Sequence, residues 1–240
     1  MNKPKIDKRF NHRIWRRSRF RGVTLTELMV VIVIIIVLAS LSFPISKRLK
    51  NSANAAVCAS NLRQVGSALL MYATDNHQQL PPLQPPLNRE TGKRGDIWPG
   101  LLARAGYMWD GTGQMPCGTG VWTCPDCDFM SNAYGGYGVA EDTVFVYGEK
   151  RPVGTSISGS LKLNMVKQPS RTWLVGDATR SANEPNKGWY AIWSNPSRWD
   201  GHGPAERHRG KANVCMVDGS VVALTKKEIE EAELTQNVVR

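Results

Sequence analysis

The chain is poor in acidic residues and in apolar segments. It has 20 Asp and Glu residues against 31 Lys and Arg, so its formal net charge is +11 over 240 residues. A mean hydropathy of -0.33 excludes a polytopic membrane protein, and a 41% share of hydrophobic residues excludes a disordered polyelectrolyte. The length therefore accommodates one globular domain with an appendage.

Several functional signatures are missing as well. There is no internal repeat and no second Cys-x-x-Cys pair. The Gly-rich stretch 135–138 lacks the strand-then-helix setting of a phosphate loop, which excludes nucleotide binding. The first cysteine, Cys58, lies well beyond the end of the N-terminal apolar run, which argues against a lipoprotein signal.

The positive charge is concentrated at one end of the chain. Residues 1–22 carry nine basic residues and one acid, and the remaining 218 residues share a net charge of only +3. A nucleic-acid interface needs its Lys and Arg on the folded surface, where they neutralise phosphates. We therefore expect no nucleic-acid partner.

An uncharged run of eighteen residues follows, from Leu28 to Ile45. At about 1.5 Å per helical residue it crosses most of the hydrocarbon core of a bilayer. Because the basic excess precedes the run, the positive-inside rule predicts a cytoplasmic N-terminus and an exported remainder. The sequence thus predicts a single-pass protein of the inner, cytoplasmic membrane.

Glu27 lies at the start of this run, where an ionised carboxylate is costly unless it is paired. One interpretation is that it has a charged partner. A second is that it lies at the level of the lipid headgroups, favoured there by the helix dipole. A third possibility for this region is ordinary secretion, with cleavage after Ala39 and a soluble product that begins at Ser40.

The segment Gly22-Val23-Thr24-Leu25-Thr26-Glu27, with the apolar run behind it, resembles the signal of type IV prepilins and type II secretion pseudopilins. The resemblance implies that a prepilin peptidase cuts after Gly22 and methylates the new amine of Val23. It also implies that Glu27, at the fifth mature position, pairs with the amine of a neighbouring subunit. The implied protein is a structural subunit and not an enzyme. Its partners are the peptidase, the inner membrane and other pilin subunits, within an envelope or surface filament.

Four segments follow from these patterns. We predict a basic leader over 1–22, a transmembrane and assembly half of a stalk helix over 23–46, its amphipathic half over 47–79, and an exported head over 80–240. The helix is expected from about Leu25 to Asp75. Its apolar stripe has steps of three and four residues, and it consists of Ala55, Cys58, Leu62, Val65, Leu69 and Tyr72.

The head is predicted to contain a small antiparallel sheet, which gives an α+β, pilin-like fold with irregular loops. Its clearest element is a hairpin of strands 213–217 and 220–224, joined by Asp218-Gly219 in a type I′ turn. Strand-like runs also occur at 143–147, 172–175 and 189–193. Thr225 and Glu228 form a capping-box pattern that begins a short helix reaching about Leu234.

A second resemblance concerns a subgroup of pilin-like proteins that carries a C-terminal His-x9-Asp-Gly element. Here His208 and Asp218-Gly219 have that spacing, the stretch 58–66 is similar to the subgroup's "C-x-x-N-L-[RK]-Q" segment, and Cys124-Pro125 is similar to its central "C-P" element. This resemblance supports an exported pilin-like chain, and it does not identify a particular pilus or secretion system.

The chain has five cysteines, all on the predicted exported side, where disulfides form. Because the number is odd, at least one of them has no partner for a disulfide within the chain. Disulfides that hold the loop-rich region are one interpretation. A zinc site of Cys117, Cys124 and Cys127 is another, and a redox dithiol is a third. No cofactor is certain, and zinc and calcium are the candidate ions.

His208 and Asp218 have two interpretations. In one, they join Asp200 and His202 in a site for calcium or another cation. In the other, His208 stabilises the hairpin by a hydrogen bond and Asp218 serves only the turn.

Tryptophan is abundant in the predicted head. We expect most of these indoles to fill the core of the exported domain. If some line exposed loops, the alternative function is an exported binding module or enzyme held by an uncleaved membrane helix. The tryptophans concerned are Trp98, Trp109, Trp122, Trp173, Trp189, Trp193 and Trp199.

Overall fold

The computed structural model describes residues 22–83, 97–108, 120–127, 135–141, 143–145 and 162–235, without the side chains of 41–46. The predictions for the leader 1–21, for Cys117 and for Trp109 lie outside this part of the chain. The chain divides into two compact units, Met1–Ser46 and Lys47–Arg240.

The first unit contains the beginning of helix α1, which runs from Leu25 to Asp75 as the sequence predicts. Every side chain described between residues 22 and 40 is exposed to solvent. Among the residues that the structure describes, no helix meets the length and hydropathy that a membrane crossing requires. The predicted span 28–45 includes residues 41–45, whose side chains lie outside the description.

In the second unit, the rest of α1 packs on a sheet through the predicted stripe. Cys58, Leu62, Val65 and Leu69 are fully buried. They lie in one apolar cluster with residues of the sheet and of helix α2, Trp98–Arg104. Burial of one helical stripe in this way contributes to the stability of the unit.

Six strands form the sheet within the described residues. They are β1 Tyr137–Ala140, β2 Trp173–Thr179, β3 Ala191–Ile192, β4 Gly203–Pro204, β5 Ala212–Met216 and β6 Val221–Leu224. Their order is β3-β1-β2-β5-β6, and β4 pairs with β2. All pairs are antiparallel except β1 with β3, so the observed α+β architecture agrees with the prediction.

The predicted hairpin is β5 with β6, but its turn differs from the prediction. A type I′ turn needs positive φ at both central residues. Only Gly219, at φ 84°, has it in the pair Asp218-Gly219. The Gly219 N–H donates to the Met216 carbonyl, and Asp218 Oδ1 accepts from the N–H and the hydroxyl of Ser220. Four residues, 217–220, therefore separate the two strands instead of the predicted two, and Asp218 serves the turn.

The second face of the sheet has its own apolar cluster. It includes Trp173, Val214 and Ile229, the last from helix α3, Lys226–Glu231. The α3 capping box of Thr225 and Glu228 is present, but the helix ends before the predicted Leu234 because Glu233 takes a positive φ of 52°.

The indole of Trp173 lies close to Gly176 of its own strand. A Cβ at Gly176 would lie 2.6 Å from the indole. The Trp173 Nε1–H donates to the Gly138 carbonyl at 3.1 Å, which joins β2 to β1 through a side chain. Trp98, Trp122, Trp173 and Trp199 are buried. The expectation that tryptophans fill the core is thus confirmed for these four.

Candidate functional site

The predicted processing segment is accessible in the structure. An added Cβ at Gly22 would meet nothing within 4 Å, and Val23 is 76% exposed. No described residue therefore blocks the access of a peptidase to the peptide bond between Gly22 and Val23.

Glu27 takes part in a reciprocal hydrogen-bonded pair at the start of α1. Its Oε2 accepts from the Thr24 N–H at 2.8 Å and from the Thr24 hydroxyl at 2.9 Å, while the Thr24 Oγ1 accepts from the Glu27 N–H at 3.2 Å. This is a capping box, which satisfies amide groups that a helix N-terminus otherwise leaves unpaired. The carboxylate therefore has a local role, in addition to any partner outside the chain.

A second candidate site lies inside the second unit. Cys58, Cys124, Asp177 and His208 place one ligand atom each within 4.8 Å of one another, and all four residues are buried. They come from α1, from the turn 124–127, from β2 and from the turn that follows β4. We call these four residues the buried cluster.

Asp177 is the centre of the buried cluster. It lies in β2, whose seven residues are all buried. Its Oδ2 accepts from the backbone N–H of Asn213 at 2.8 Å on the neighbouring β5. Its Oδ1 lies 3.5 Å from Nη1 of Arg207, and both of these side chains are fully shielded from solvent. A buried carboxylate is tolerable only with such partners.

His208 bridges two carboxylates and a thiol. Its Nε2 lies 3.3 Å from Asp177 Oδ2 and 3.4 Å from Cys124 Sγ. Its Nδ1 lies 3.0 Å from Asp126 Oδ2, although it is not aligned for a hydrogen bond. Burial lowers the pKa of His208, but Asp177 and Cys124 outweigh burial and raise it to about 10. The imidazole thus contacts the cluster, and the expectation that its hydrogen bond fixes the hairpin is wrong.

The two thiols of the buried cluster face the same carboxylate. The Cys58 thiol donates to the Asp177 oxygens, at 3.3 Å and 3.5 Å. The Cys58 thiol, burial and the Asp177 charge together raise the pKa of Cys124. The pKa of Tyr137 is raised as well, mainly by burial and to a smaller extent by Cys58, Asp177 and Cys124. Without a cation beside them, the Cys124 thiol and the Tyr137 hydroxyl are therefore held in their protonated forms.

The cysteines predicted from the sequence as metal ligands do not all belong to the buried cluster. Cys124 belongs to the buried cluster, but Cys127 is not one of its members. The structure describes Cys58, Cys124, Cys127 and Cys215 as free thiols, so the predicted disulfides are not found among these four.

The alternative cation set is not brought together. Asp200 accepts from the N–H of Gly201, and Asp218 lies in the hairpin turn. The His202 ring lies 4.8 Å from the ring centroids of both Trp189 and Trp193. Burial lowers the pKa of His202. Of these residues and His208, only His208 belongs to the buried cluster.

Sequence reasoning missed Asp177 and Arg207 as site residues. The available signal was an acid within an otherwise apolar strand, Trp173-Leu174-Val175-Gly176-Asp177. A carboxylate at such a position needs a buried cationic partner or ligand. Arg207 supplies part of that need, and it also donates to the carbonyls of Gly136 and Pro185.

Comparison with known families agrees with the N-terminal features and with the fold. Residues 17–43 match the family described as "Prokaryotic N-terminal methylation motif", which makes this chain a prepilin-type, peptidase-processed pilin-like subunit. Residues 104–230, more than half of the chain, match the family described as "Protein of unknown function (DUF1559)". The chain belongs to that family. Prepilin-type chains are structural subunits and not enzymes. No match was found among curated proteins or among solved structures.

Proposed function

We propose that this chain is a structural subunit of a type IV pilus or a type II secretion pseudopilus, cleaved after Gly22 and methylated on the amine of Val23. The observation that carries the proposal is the methylation motif over residues 17–43, with Glu27 in the first turn of a long helix. The basic leader places the N-terminus in the cytoplasm, and the head is exported as a single-pass protein of the inner membrane.

The surface of α1 supports assembly. The apolar residues from Leu28 to Leu38 are between 48% and 60% exposed on every side of the helix. A helix that is apolar all round requires an apolar environment. Lipid provides it before assembly, and the helices of neighbouring subunits provide it within the filament.

Glu27 sets the register between subunits in this proposal. Cleavage creates an ammonium group on Val23, and a subunit shifted along the fibre brings that group to the Glu27 carboxylate of its neighbour. Pairing lowers the cost of both charges in an apolar bundle. The capping bonds from Thr24 both end on Oε2, and we assign Oε1 to the amine of the neighbour.

The cleavage step is tested by expressing the full chain with and without a prepilin peptidase and determining the N-terminus by mass spectrometry. We expect methylated Val23 with the peptidase and Met1 without it. The variant Gly22→Val should retain Met1 under both conditions. An intact Met1 in functional material would support an uncleaved anchor, and a Ser40 terminus would support ordinary secretion; either result contradicts the proposal.

The pairing is tested with three variants that separate charge from capping. Glu27→Gln retains a capping-box side chain but loses the charge. Thr24→Ala loses the hydroxyl that accepts from the N–H of residue 27 but retains the charge, and Glu27→Ala loses the charge together with the carboxylate half of the capping box. Incorporation into sheared filaments should fall strongly in both Glu27 variants and little in Thr24→Ala. Normal incorporation of Glu27→Gln would exclude the pairing and reduce Glu27 to a capping residue.

A further inference from the structure

We propose that Cys58, Cys124, Asp177 and His208 bind one Zn²⁺ ion, as a structural centre inside the second unit. This centre differs from the Cys117, Cys124 and Cys127 set that the sequence suggests, because it uses only Cys124 of those three. The proposal does not depend on cleavage or assembly.

The chemistry of the four side chains fits zinc. Structural zinc centres have four protein ligands, drawn from thiolates, imidazoles and carboxylates. Two thiolates make the set soft and disfavour Ca²⁺ and Mg²⁺, which prefer oxygen ligands. The mixed set of two sulfurs, one nitrogen and one oxygen is therefore suited to zinc.

The distances between the ligand atoms fit a tetrahedron around one ion. With Zn–S bonds of about 2.3 Å and Zn–N or Zn–O bonds of about 2.0–2.2 Å, tetrahedral ligand atoms lie roughly 3.3–3.8 Å apart. The Cys58 Sγ to Asp177 Oδ2 distance is 3.5 Å, the Cys124 Sγ to His208 Nε2 distance is 3.4 Å, and the His208 Nε2 to Asp177 Oδ2 distance is 3.3 Å. All ligand atoms lie within 4.8 Å of one another, so small adjustments complete the shell.

Groups around the buried cluster hold the ligands in place. Zinc-binding imidazoles commonly direct their second nitrogen at a carboxylate. Here His208 Nδ1 lies 3.0 Å from Asp126 Oδ2, and Asp126 accepts from the Asn54 amide of α1. On the other side, Asp177 is oriented by the Asn213 N–H and by Arg207.

The burial of the ligands indicates a structural role for the ion. Cys58, Cys124 and Asp177 are 0% exposed and His208 is 5% exposed, which leaves no open coordination position for a substrate. Closed sites with four protein ligands stabilise a fold, whereas catalytic sites keep one position free. An ion here ties α1 to the 124–127 turn, to β2 and to the turn at 207–209.

The test measures zinc in the full chain, purified in detergent without chelators, by elemental mass spectrometry. We expect about one zinc per chain in the wild type. Cys58→Ser and Cys124→Ser should each reduce this content severalfold. The matched control is Cys127→Ser, at the other end of the same Cys-x-x-Cys pair, and it should retain the wild-type content.

A second measurement applies if the ligand variants fail to fold. Wild type and Cys127→Ser are stripped of metal and titrated with Co²⁺, with thiolate-to-cobalt charge transfer as the readout. Equal charge-transfer bands in both proteins, and a thermal midpoint that falls with chelator and returns with zinc, support the centre. A Cys58–Cys124 disulfide, a folded metal-free wild type that ignores added zinc, or loss of zinc in Cys127→Ser would overturn it.

Discussion

The two units of the chain differ in how their apolar side chains are exposed. In the first, every described side chain between residues 22 and 40 is exposed, including a continuous series of Val, Ile and Leu. In the second, the apolar side chains form two clusters on the two faces of a sheet, with charged groups of the buried cluster enclosed among them. The first unit thus depends on molecules outside the chain for its burial, whereas the second buries its core within the chain.

The same type of apolar residue therefore contributes to folding in the second unit and to assembly in the first. An isoleucine in the head contributes to folding, because folding removes it from water. An isoleucine near the start of α1 contributes only when lipid or another subunit covers it. Substitutions at matched positions therefore separate stability from assembly.

The largest expected difference is between Trp98 and Ile32. Trp98 is 0% exposed, and its indole donates to the Tyr190 carbonyl at 2.8 Å, whereas Ile32 is 48% exposed. Trp98→Ala should lower the free energy of unfolding by about 3–5 kcal/mol. Ile32→Ala should leave the unfolding of the head unchanged. Urea titration of the full chain, followed by fluorescence, measures both, and equal losses would contradict the comparison.

The buried charges should be nearly as sensitive as the apolar core. Arg207→Met leaves Asp177 without its guanidinium partner, and loss of one member of a buried ion pair costs about 3–5 kcal/mol. Within the described part of the chain, the neighbouring Arg209 donates to the Arg48 carbonyl and to the Ser52 hydroxyl, and both hydrogen bonds are exposed. Arg209→Met should therefore cost less than about 1 kcal/mol. Similar urea midpoints for the two variants would show that Asp177 does not need Arg207.

A smaller effect is expected at Gly66, where α1 packs against Cys215 of β5. A Cβ on Gly66 would lie 2.4 Å from Cys215 Sγ, so Gly66→Ala forces the helix or β5 to shift. Such overpacking costs about 1–3 kcal/mol, against the gain of about 1 kcal/mol that alanine has over glycine in a helix interior. Ser67→Ala, at the next and exposed position, is the control. Calorimetry should show a lower midpoint for the Gly66 variant alone.

The smallest effect concerns the α3 capping box. Thr225→Ala should lower the thermal midpoint by about 2–4 °C. Hydrogen bonds from the Thr225 N–H and hydroxyl lower the pKa of Glu228. Their contribution is present above the pKa of the unfolded chain and is lost as pH falls through the lower folded value. The difference between wild type and Thr225→Ala should thus shrink on acidification, and a difference that grew would contradict the assignment.

The sequence predicted the elements that local pattern determines. The bounds Leu25–Asp75 of α1 follow from the uncharged apolar run over 28–45 and the apolar stripe that comes after it. The Thr225–Glu228 capping box follows from two residues three positions apart. Strand β1 was missed because it has only four residues, two of them Tyr137 and Gly138, and its pairing partners are distant in sequence.

The buried cluster was only partly predictable, for the same reason. Cys58 and Asp177 are 119 residues apart, and Cys124 and His208 are 84 apart, so no spacing rule connects them. The nearby pair Cys124 and Cys127 has the spacing of a zinc site, but only Cys124 belongs to the buried cluster. A single acid in a buried strand was the stronger clue, because its burial demands partners whatever their distance along the chain.

The indole of Trp173 occupies the space that a side chain at position 176 of the same strand would need. The residue at position 173 therefore restricts which residues fit at position 176, and the reverse also holds. The Asn213 carbonyl oxygen would lie 2.9 Å from the same Cβ, so a smaller residue at position 173 does not by itself make room for a side chain at position 176, and it removes the Nε1–H bond to the Gly138 carbonyl.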